Sequence, residues 1–528
     1  MVSCVEKALV IPPGGCSRIF HRFSKRRKTR GGKKVAVQST SSELANPLKL
    51  TPVVCELIDS FLDERSQLFD LVDGMGSPLN VIFPENLRTN IQLFNETFVK
   101  NDVSGRVFFA HKCNRSDSIT RQLSFENCGI DVSSLKELQH ALASGFVPSR
   151  IETTGPKSVE LLALSIQHGV WINIDTLAEL KQLISIQQQI AQHPPVKILL
   201  RLAGFRSEHS RFLDKSSRFG IPFPELDAAL TILELNSQIQ LAGFSFHLDT
   251  VTVLERTVAI ENCLEAFDAA ISRGFNPQIL DIGGGYKVNY LADGSDWNRY
   301  TTALKEAVLG ATPSLTWHNN AFGLHAEKGV LKGSFNTYAY FDQQTGGRFL
   351  NELLAQKLPS MGNATVASVM RDNMIELWVE PGRALVDQCG ITLARVNNVH
   401  PSSTGDLIVN LGMKRQDISF LDQEIFVDPV IVHRGHPVNP QSASVFFAGN
   451  LCLESDLIYR HKTFLEAVPS PGDVVAFINT AGYFMDFSAT EAIMNPIARK
   501  VAIKRDSGRF RWFLDECYWP FGRESSEC

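Results

Sequence analysis

Val107-Phe108-Phe109-Ala110-His111-Lys112-Cys113-Asn114 is the stretch that decides the fold. Its first four residues form an apolar run of the length expected of a buried strand. Lys112 follows at once, and an ammonium is rarely brought against such a run without a partner or a task. Elsewhere the chain repeats the arrangement. Leu241–Phe246 ends on His247, Gln278–Ile282 ends on Gly283-Gly284-Gly285, and Leu377-Trp378-Val379 ends on Glu380-Pro381-Gly382-Arg383.

Helix-like segments separate these runs. Gly129–Val132 reads as a strand, and Ser133-Ser134-Leu135-Lys136-Glu137 then opens a helix with Ser134 and Glu137 spaced as a capping box. Ile151–Thr154 precedes Gly155-Pro156, and Trp171–Ile174 precedes a second capped start at Asp175-Thr176. Lys197–Leu202 and Glu376–Val379 complete a series of about eight strands with helices between. Repeated βα units favour parallel strands, and eight of them can close as a barrel. An open doubly wound sheet is the alternative, but it would spread its strand ends apart. A closed barrel gathers Lys112, His247, Gly283 and Glu380 at one mouth, so the expected class is α/β, a (β/α)8 barrel.

After about residue 388 the rhythm changes. Short runs such as Ile391–Val396, Leu407–Val409, Ser444–Phe447 and Val474–Phe477 are divided by Pro, Gly and Ser, which predicts a mainly β C-terminal domain. The expected divisions are a leader over 1–45, a pre-barrel segment over 46–77 that can join the β domain, a barrel over 78–387 and a β domain over 388–528. The stretch near 287–370 exceeds one βα unit and reads as an insertion over the mouth or a dimer surface.

Composition narrows the class. The 528 residues are 44% hydrophobic and 20% charged, as in a soluble globular protein, and the net charge of -4 gives no global field favouring nucleic acid. No apolar run approaches the ~18 residues of a membrane span. The ten cysteines include no Cys-x-x-Cys pair, which points to reduced thiols in an intracellular compartment. Residues 1–42 set ten Lys or Arg against the single acid Glu6. Such a leader reads as a transit peptide for a plastid or mitochondrion, as a disordered tail of a cytoplasmic protein, or as a nuclear signal.

Each strand-end group has a chemical and an ordinary reading. Lys112 suits a Schiff base, because a desolvated lysine more readily offers the neutral amine; ordinarily such a lysine reaches solvent. Three glycines let backbone N–H groups approach a phosphate, or simply make a tight turn. Glu380 can face a positive charge and Arg383 can pair with phosphate or carboxylate; a Pro-Gly turn beside a salt bridge is the plain alternative. His247 can stack on a flat ring or sit in the core. Cys452, beside Glu454 and Asp456, can move protons or lie in a surface loop. Tyr483 can donate to a phosphate or merely pack. No spacing typical of metal ligands is found, and no metal is expected.

Taken in order, these segments resemble the fold type III pyridoxal-phosphate-dependent decarboxylases, the family of ornithine, arginine and diaminopimelate decarboxylases with an alanine-racemase-type barrel. The resemblance covers roughly residues 78–505 and rests on Ala110-His111-Lys112-Cys113-Asn114, Gly129–Ser134, Phe246-His247, Gly283–Gly285, Glu380–Arg383, Leu451-Cys452 with Asp456, and Tyr483. It implies a pyridoxal 5'-phosphate enzyme, a carboxy-lyase, in which Lys112 forms the Schiff base and His247, Thr250, Gly283, Gly284, Gly285, Glu380, Gly382, Arg383 and Tyr483 hold the cofactor. Thr250 falls where a phosphate-binding serine is usual. Lys112, Glu380 and Cys452 would be catalytic, and Arg383, Glu454 and Asp456 would meet an amino-acid substrate with a polar far end. The active unit would be a homodimer with shared sites. Related racemases place an arginine against the pyridine nitrogen, so Glu380 favours decarboxylation; a racemase and a non-catalytic regulatory homologue are the alternatives.

The chain departs from the diaminopimelate pattern at the substrate end. Leu453 follows the loop cysteine where an acid is normal, and Asp249 stands where glycine is common. After Gly412-Met413 the sequence reads Lys414-Arg415-Gln416-Asp417 and lacks the Arg-Pro-x-Leu-Tyr grip on a distal carboxylate. Lys414 and Arg415 are the cations at hand to replace it.

Overall fold

The computed structural model describes residues 47–205, 217–248, 252–436 and 440–520. The basic leader and Thr250 lie outside the described residues. Among those described, eight parallel strands close into a barrel. In chain order they are Gly105–Ala110, Gly129–Val132, Ile151–Thr153, Trp171–Ile174, Val196–Ala203, Ile239–Ser245, Ile279–Asp281 and Glu376–Val379. The last pairs with the first, with Val379 opposite Val107, and closes the ring.

Alternation along each strand sorts the side chains. Val107, Phe109, Ile130, Val132, Ile172, Ile174, Leu200, Leu280, Leu377 and Val379 face outward and join one large core with the surrounding helices. Phe108, Leu199, Ala242, Ile279 and Trp378 form a separate apolar cluster. Trp378 lies 4.6 Å from Phe108 and 5.1 Å from Trp171 between ring centroids, so aromatic rings plug the barrel's lower end. Gly243 is needed here, because a Cβ would meet the Ile279 carbonyl oxygen at 1.9 Å.

Local sequence sets the helix starts. Ser134 Oγ accepts from Glu137 N–H, and Thr176 Oγ1 accepts from Glu179 N–H. The Glu137 carboxylate reaches back to Ser133 N–H, one residue before the cap. These caps fix the chain just past two strand ends, at the mouth.

The second sheet runs, strand by strand, Thr463–Leu465, Ala443–Ala448, Leu407–Leu411, Gly390–Pro401, Leu79–Ile82, Arg499–Asp506 and Arg509–Leu514. Val474–Phe477 pairs with Gly390–Pro401 and with Val430–Val432. The expectation of a barrel from residue 78 needs one correction. Leu79–Ile82 pairs antiparallel with Gly390–Pro401 and parallel with Arg499–Asp506, so it belongs to this sheet. Its Leu79 and Val81 pack with Val501 and Ile503 and with the helices Glu56–Asp63 and Arg65–Met75. A continuous apolar run looks the same in a barrel and in a covered sheet. No described helix is long and apolar enough to cross a membrane.

Candidate active site

The inner positions change character toward the strands' C-terminal ends. Asp131, Glu152, Asn173, Ser245 and Asp281 are all buried there, and Glu380 follows the last strand. Lys112 leaves the first strand in a single 3-10 turn, His111–Cys113. Lys112, His247, Gly284, Gly285, Glu380, Gly382, Arg383 and Tyr483 line one cavity of about 870 Å³. Asn320, Phe322, Asn336, Thr337 and Tyr338, from the segment between the last two barrel strands, line it too.

Lys112 keeps 39% of its side-chain surface open, but it opens onto the cavity, and Nζ stands 3.9 Å from Asp131 Oδ2. Burial pulls its pKa down; the charges of Asp131 and Glu380 outweigh that, and the net shift is upward. Desolvation was expected to hand over a neutral amine. The paired carboxylates hold it protonated instead. Asp131 responds in turn: burial and the charge of Glu380 push its carboxyl up to about 7, against the pull of Lys112. Thr154 donates to Asp131 Oδ1, while Oδ2, the oxygen toward Lys112, has no hydrogen-bond partner.

Glu380 Oε2 lies 3.3 Å from His247 Nδ1. Glu152, Asp281 and Glu380 each bring a carboxylate oxygen within 4.8 Å of the others. Like charges that close cannot all ionise. Burial and the Glu380 charge push Asp281 well above the carboxylate range, and the same two causes push Glu152 up. Burial would raise Glu380 as well, but bonds from His247 and Asp281, with the Lys112 charge, bring it down to about 2. Proton sharing thus leaves Glu380 as the anion and Asp281 as the donor beside it. Asp281 Oδ1 also takes the Gly283 N–H at 2.8 Å. Burial lowers His247, so its imidazole is neutral. Asn173 links this layer together, donating to Glu152 Oε1 at 3.1 Å and accepting from Ser245 Oγ at 2.7 Å.

The opposite wall is built for an anion. A Cβ on Gly284 would meet the Glu380 carbonyl oxygen at 2.6 Å, and one on Gly382 would meet Tyr483 OH at 2.9 Å. Bare backbone therefore forms this wall. Tyr483 has a left-handed φ of 70°, held by its N–H bond to the Cys113 carbonyl at 2.8 Å. Arg383 donates to Tyr290 OH at 3.1 Å, and its guanidinium lies 4.3 Å from the Tyr338 ring centroid and 5.3 Å from that of Tyr483. Burial works against that charge, but the surrounding tyrosines raise its pKa on balance. An amine, an ionised carboxylate, an imidazole face, backbone N–H groups and a half-buried arginine suit a flat cationic ring bearing an aldehyde and a phosphate. The donor set and the unpartnered Asp131 oxygen fit pyridoxal phosphate.

Cys452, Glu454 and Asp456 do not share this cavity; they line a second one, also about 870 Å³, with Trp317, His318 and Lys462. Asp456 is held within its own loop. Its Oδ1 accepts from Arg415 N–H and its Oδ2 from Leu451 N–H, each at 2.8 Å, so it braces the loop that presents the exposed Cys452. Lys414 and Arg415 are also occupied. Lys414 Nζ donates to the Pro496 carbonyl at 2.7 Å and pairs with Asp417, and Arg415 binds the Leu457 and Ile458 carbonyls and Asp422. Neither lines the Lys112 cavity. Arg460 does, with Asp422 and Glu424. Arg460 and the acids Asp131, Glu152 and Asp281 form no motif of their own. The acids did leave a signal, a carboxylate inside the apolar strands Gly129–Val132, Ile151–Thr153 and Ile279–Asp281.

Residues 85–329 match the family model described as pyridoxal-dependent decarboxylase, pyridoxal binding domain. An uncharacterized protein, y4yA, of Sinorhizobium fredii is 28% identical over 447 residues, 83% of this chain and 90% of its own length. The diaminopimelate decarboxylase of Methanothermobacter thermautotrophicus is 23% identical over 425 residues, 80% of this chain and 85% of that one. Among solved structures, diaminopimelate decarboxylase from M. jannaschii in complex with L-lysine superposes with a TM-score of 0.63 at 17% identity. It covers 85% of this chain and 91% of its own, and it supports the alanine-racemase-type barrel with a β domain.

Proposed function

We propose that this chain, which belongs to the fold type III pyridoxal-phosphate-dependent decarboxylases, removes CO2 from an amino acid with a polar distal group, of the diaminopimelate, ornithine or arginine kind. One observation carries the reading. Lys112 and the ionised Glu380 line the same cavity, and His247, bonded to Glu380, lines it too.

Pyridoxal phosphate, when bound, supplies the sink for the electron pair left behind as CO2 departs. The residues do the rest. Lys112 Nζ would be the amine that holds the cofactor's aldehyde end. Glu380, anionic because Asp281 carries the shared proton, would hold a proton on the cofactor's ring nitrogen. Such a charge-assisted bond is worth roughly 1.5–3 kcal/mol, or one to two decades of rate if it acts fully in the transition state. His247 offers its neutral ring face. Gly284, Gly285, Gly382, Arg383 and Tyr483 would take the phosphate, while the Gly283 N–H is held by Asp281. Arg383 also lies where a substrate carboxylate could be met. Phe322 and Tyr338 line the cavity and displace water from part of it.

Cys452 and Glu454 stand apart from the Lys112 cavity of their own subunit. In a homodimer with shared sites they enter the partner's mouth, where the Cys452 thiol protonates the product carbon. Arg460, Asp422 and Glu424 then mark the end of the cavity that reads the distal group.

The test is a panel of diamino, guanidino and dicarboxylic amino acids offered to the full chain with pyridoxal phosphate. Stoichiometric CO2 from one of them, with the matching amine, is the expected result. No CO2 from any of them, with solvent deuterium entering the α carbon, would replace this reading by racemisation.

A further inference from the structure

Arg256 sits in the helix Val253–Ser272, with none of its surface exposed, directly behind the glycine loop. Its guanidinium donates to the Ile282 carbonyl at 2.8 Å and, through its other terminal nitrogen, to the Gly284 carbonyl. It also lies 5.6 Å from the Tyr286 ring centroid and 5.7 Å from that of Phe349, and those two rings meet edge to face. The fork, the rings and the loop form one packed unit.

A trans peptide points its C=O and its N–H in opposite directions. Fixing the Gly284 carbonyl on Arg256 therefore turns the Gly285 N–H away from the helix. Gly284 and Gly285 line the Lys112 cavity and Arg256 does not, so that N–H faces the cavity. The Ile282 carbonyl works the same way on the next peptide. It turns the Gly283 N–H to Asp281, which fixes the start of the loop. Glycine alone would let these peptides rotate. A planar two-pronged donor can hold two carbonyls at once, whereas a lysine ammonium is a single point charge. The guanidinium charge lies behind the loop whose Gly284 and Gly285 line the cavity.

We propose that Arg256 is a positioning residue for the cofactor's phosphate: its fork locks the Ile282 and Gly284 carbonyls so that the Gly285 N–H and its own charge face the phosphate. It rests on reading this cavity as the pyridoxal phosphate site and is independent of which amino acid reacts there. No contact between Arg256 and the cofactor is involved.

The experiment uses the full chain freed of cofactor and needs no amino-acid substrate. Wild type, Arg256→Lys and Arg256→Met are titrated with pyridoxal phosphate, with pyridoxal, which lacks the phosphate, and with inorganic phosphate as competitor. The absorbance of the Lys112 adduct is the readout, with circular dichroism as the check on folding. Arg256→Met should weaken pyridoxal phosphate and inorganic phosphate about ten- to a hundredfold, the scale of a lost charge-assisted contact, and leave pyridoxal unchanged. Arg256→Lys should fall between, since it keeps charge and loses one carbonyl. Equal loss of pyridoxal and pyridoxal phosphate would make Arg256 a purely structural residue and overturn the proposal, as would unchanged phosphate affinity. If Arg256→Met does not fold, Arg256→Lys carries the same comparison. Should the amino-acid panel give no CO2 while these affinities still separate, the decarboxylase reading fails and this one stands.

Discussion

Phe108 and Lys112 leave the same strand four residues apart and meet opposite surroundings. Around Phe108 the barrel's interior is aromatic and apolar, with the Trp378 ring tilted against it and its indole N–H donating to Glu376 at 3.0 Å. Around Lys112 the interior is a layer of carboxyls, in which Asp131 Oδ2 and Glu152 Oε2 are buried without hydrogen-bond partners. Unpaired polar atoms of that kind cost about 1–3 kcal/mol each. The lower end is packed for stability and the upper end is arranged for a ligand, and the same strands supply both because alternate residues face inward at each level. Substitutions should therefore separate folding from chemistry along a single strand.

The sharpest separation comes from Lys112→Ala. CO2 release and the cofactor's adduct absorbance should both vanish, with a thermal midpoint close to wild type. Residual CO2 at more than trace level would show that the amine is not where the reaction is anchored. At the other end, Trp378→Ala should cost about 3–5 kcal/mol of stability, as for large buried aromatics elsewhere, read from urea unfolding. Its folded fraction should still form the Lys112 adduct. Were the adduct lost while the fold remained, the two ends would be one cooperative unit and the contrast would fail.

How far this contrast was legible in the sequence follows from what one-dimensional patterns encode. Ala110-His111-Lys112 and Val379-Glu380 announce themselves because a charge ends an apolar run, and the βα repeat then predicts that such ends converge. Asp131, Glu152 and Asp281 interrupt apolar runs in the same way, but which face of a strand an acid points to depends on closure of the ring. Leu79–Ile82 was placed in the wrong sheet because its partners, Gly390–Pro401 and Arg499–Asp506, are more than 300 residues away. Arg460, Phe322 and Tyr338 come from segments without a motif, so only the folded cavity reveals them. Arg256 looked like any basic residue on an amphipathic helix.

Within the upper layer, Glu380→Gln should keep the Lys112 adduct and slow CO2 release by about one to two decades, the rate equivalent of the bond to a charged group it weakens. The amide cannot hold a proton on the ring nitrogen as a carboxylate does. A variant that lost adduct formation as strongly as turnover would place Glu380 among the groups that shape the cavity instead.

Asp131→Asn gives the smallest effect and the most specific one. In the folded protein this carboxyl is raised from 3.8 to about 7, so between those values the native state keeps a proton that the unfolded chain has released. Its contribution to stability is thus complete below 3.8 and is lost as pH rises through about 7. Asparagine does not titrate, and the variant's unfolding free energy should vary less with pH across that window. The same change removes the nearest charge holding Lys112 protonated, and burial then dominates. Capture of pyridoxal phosphate by the amine should accordingly shift to lower pH, measured as adduct formation rate against pH. A pH profile identical to wild type would mean that Glu380, not Asp131, sets the protonation of Lys112, and would move the decisive charge to the strand on the other side of Lys112.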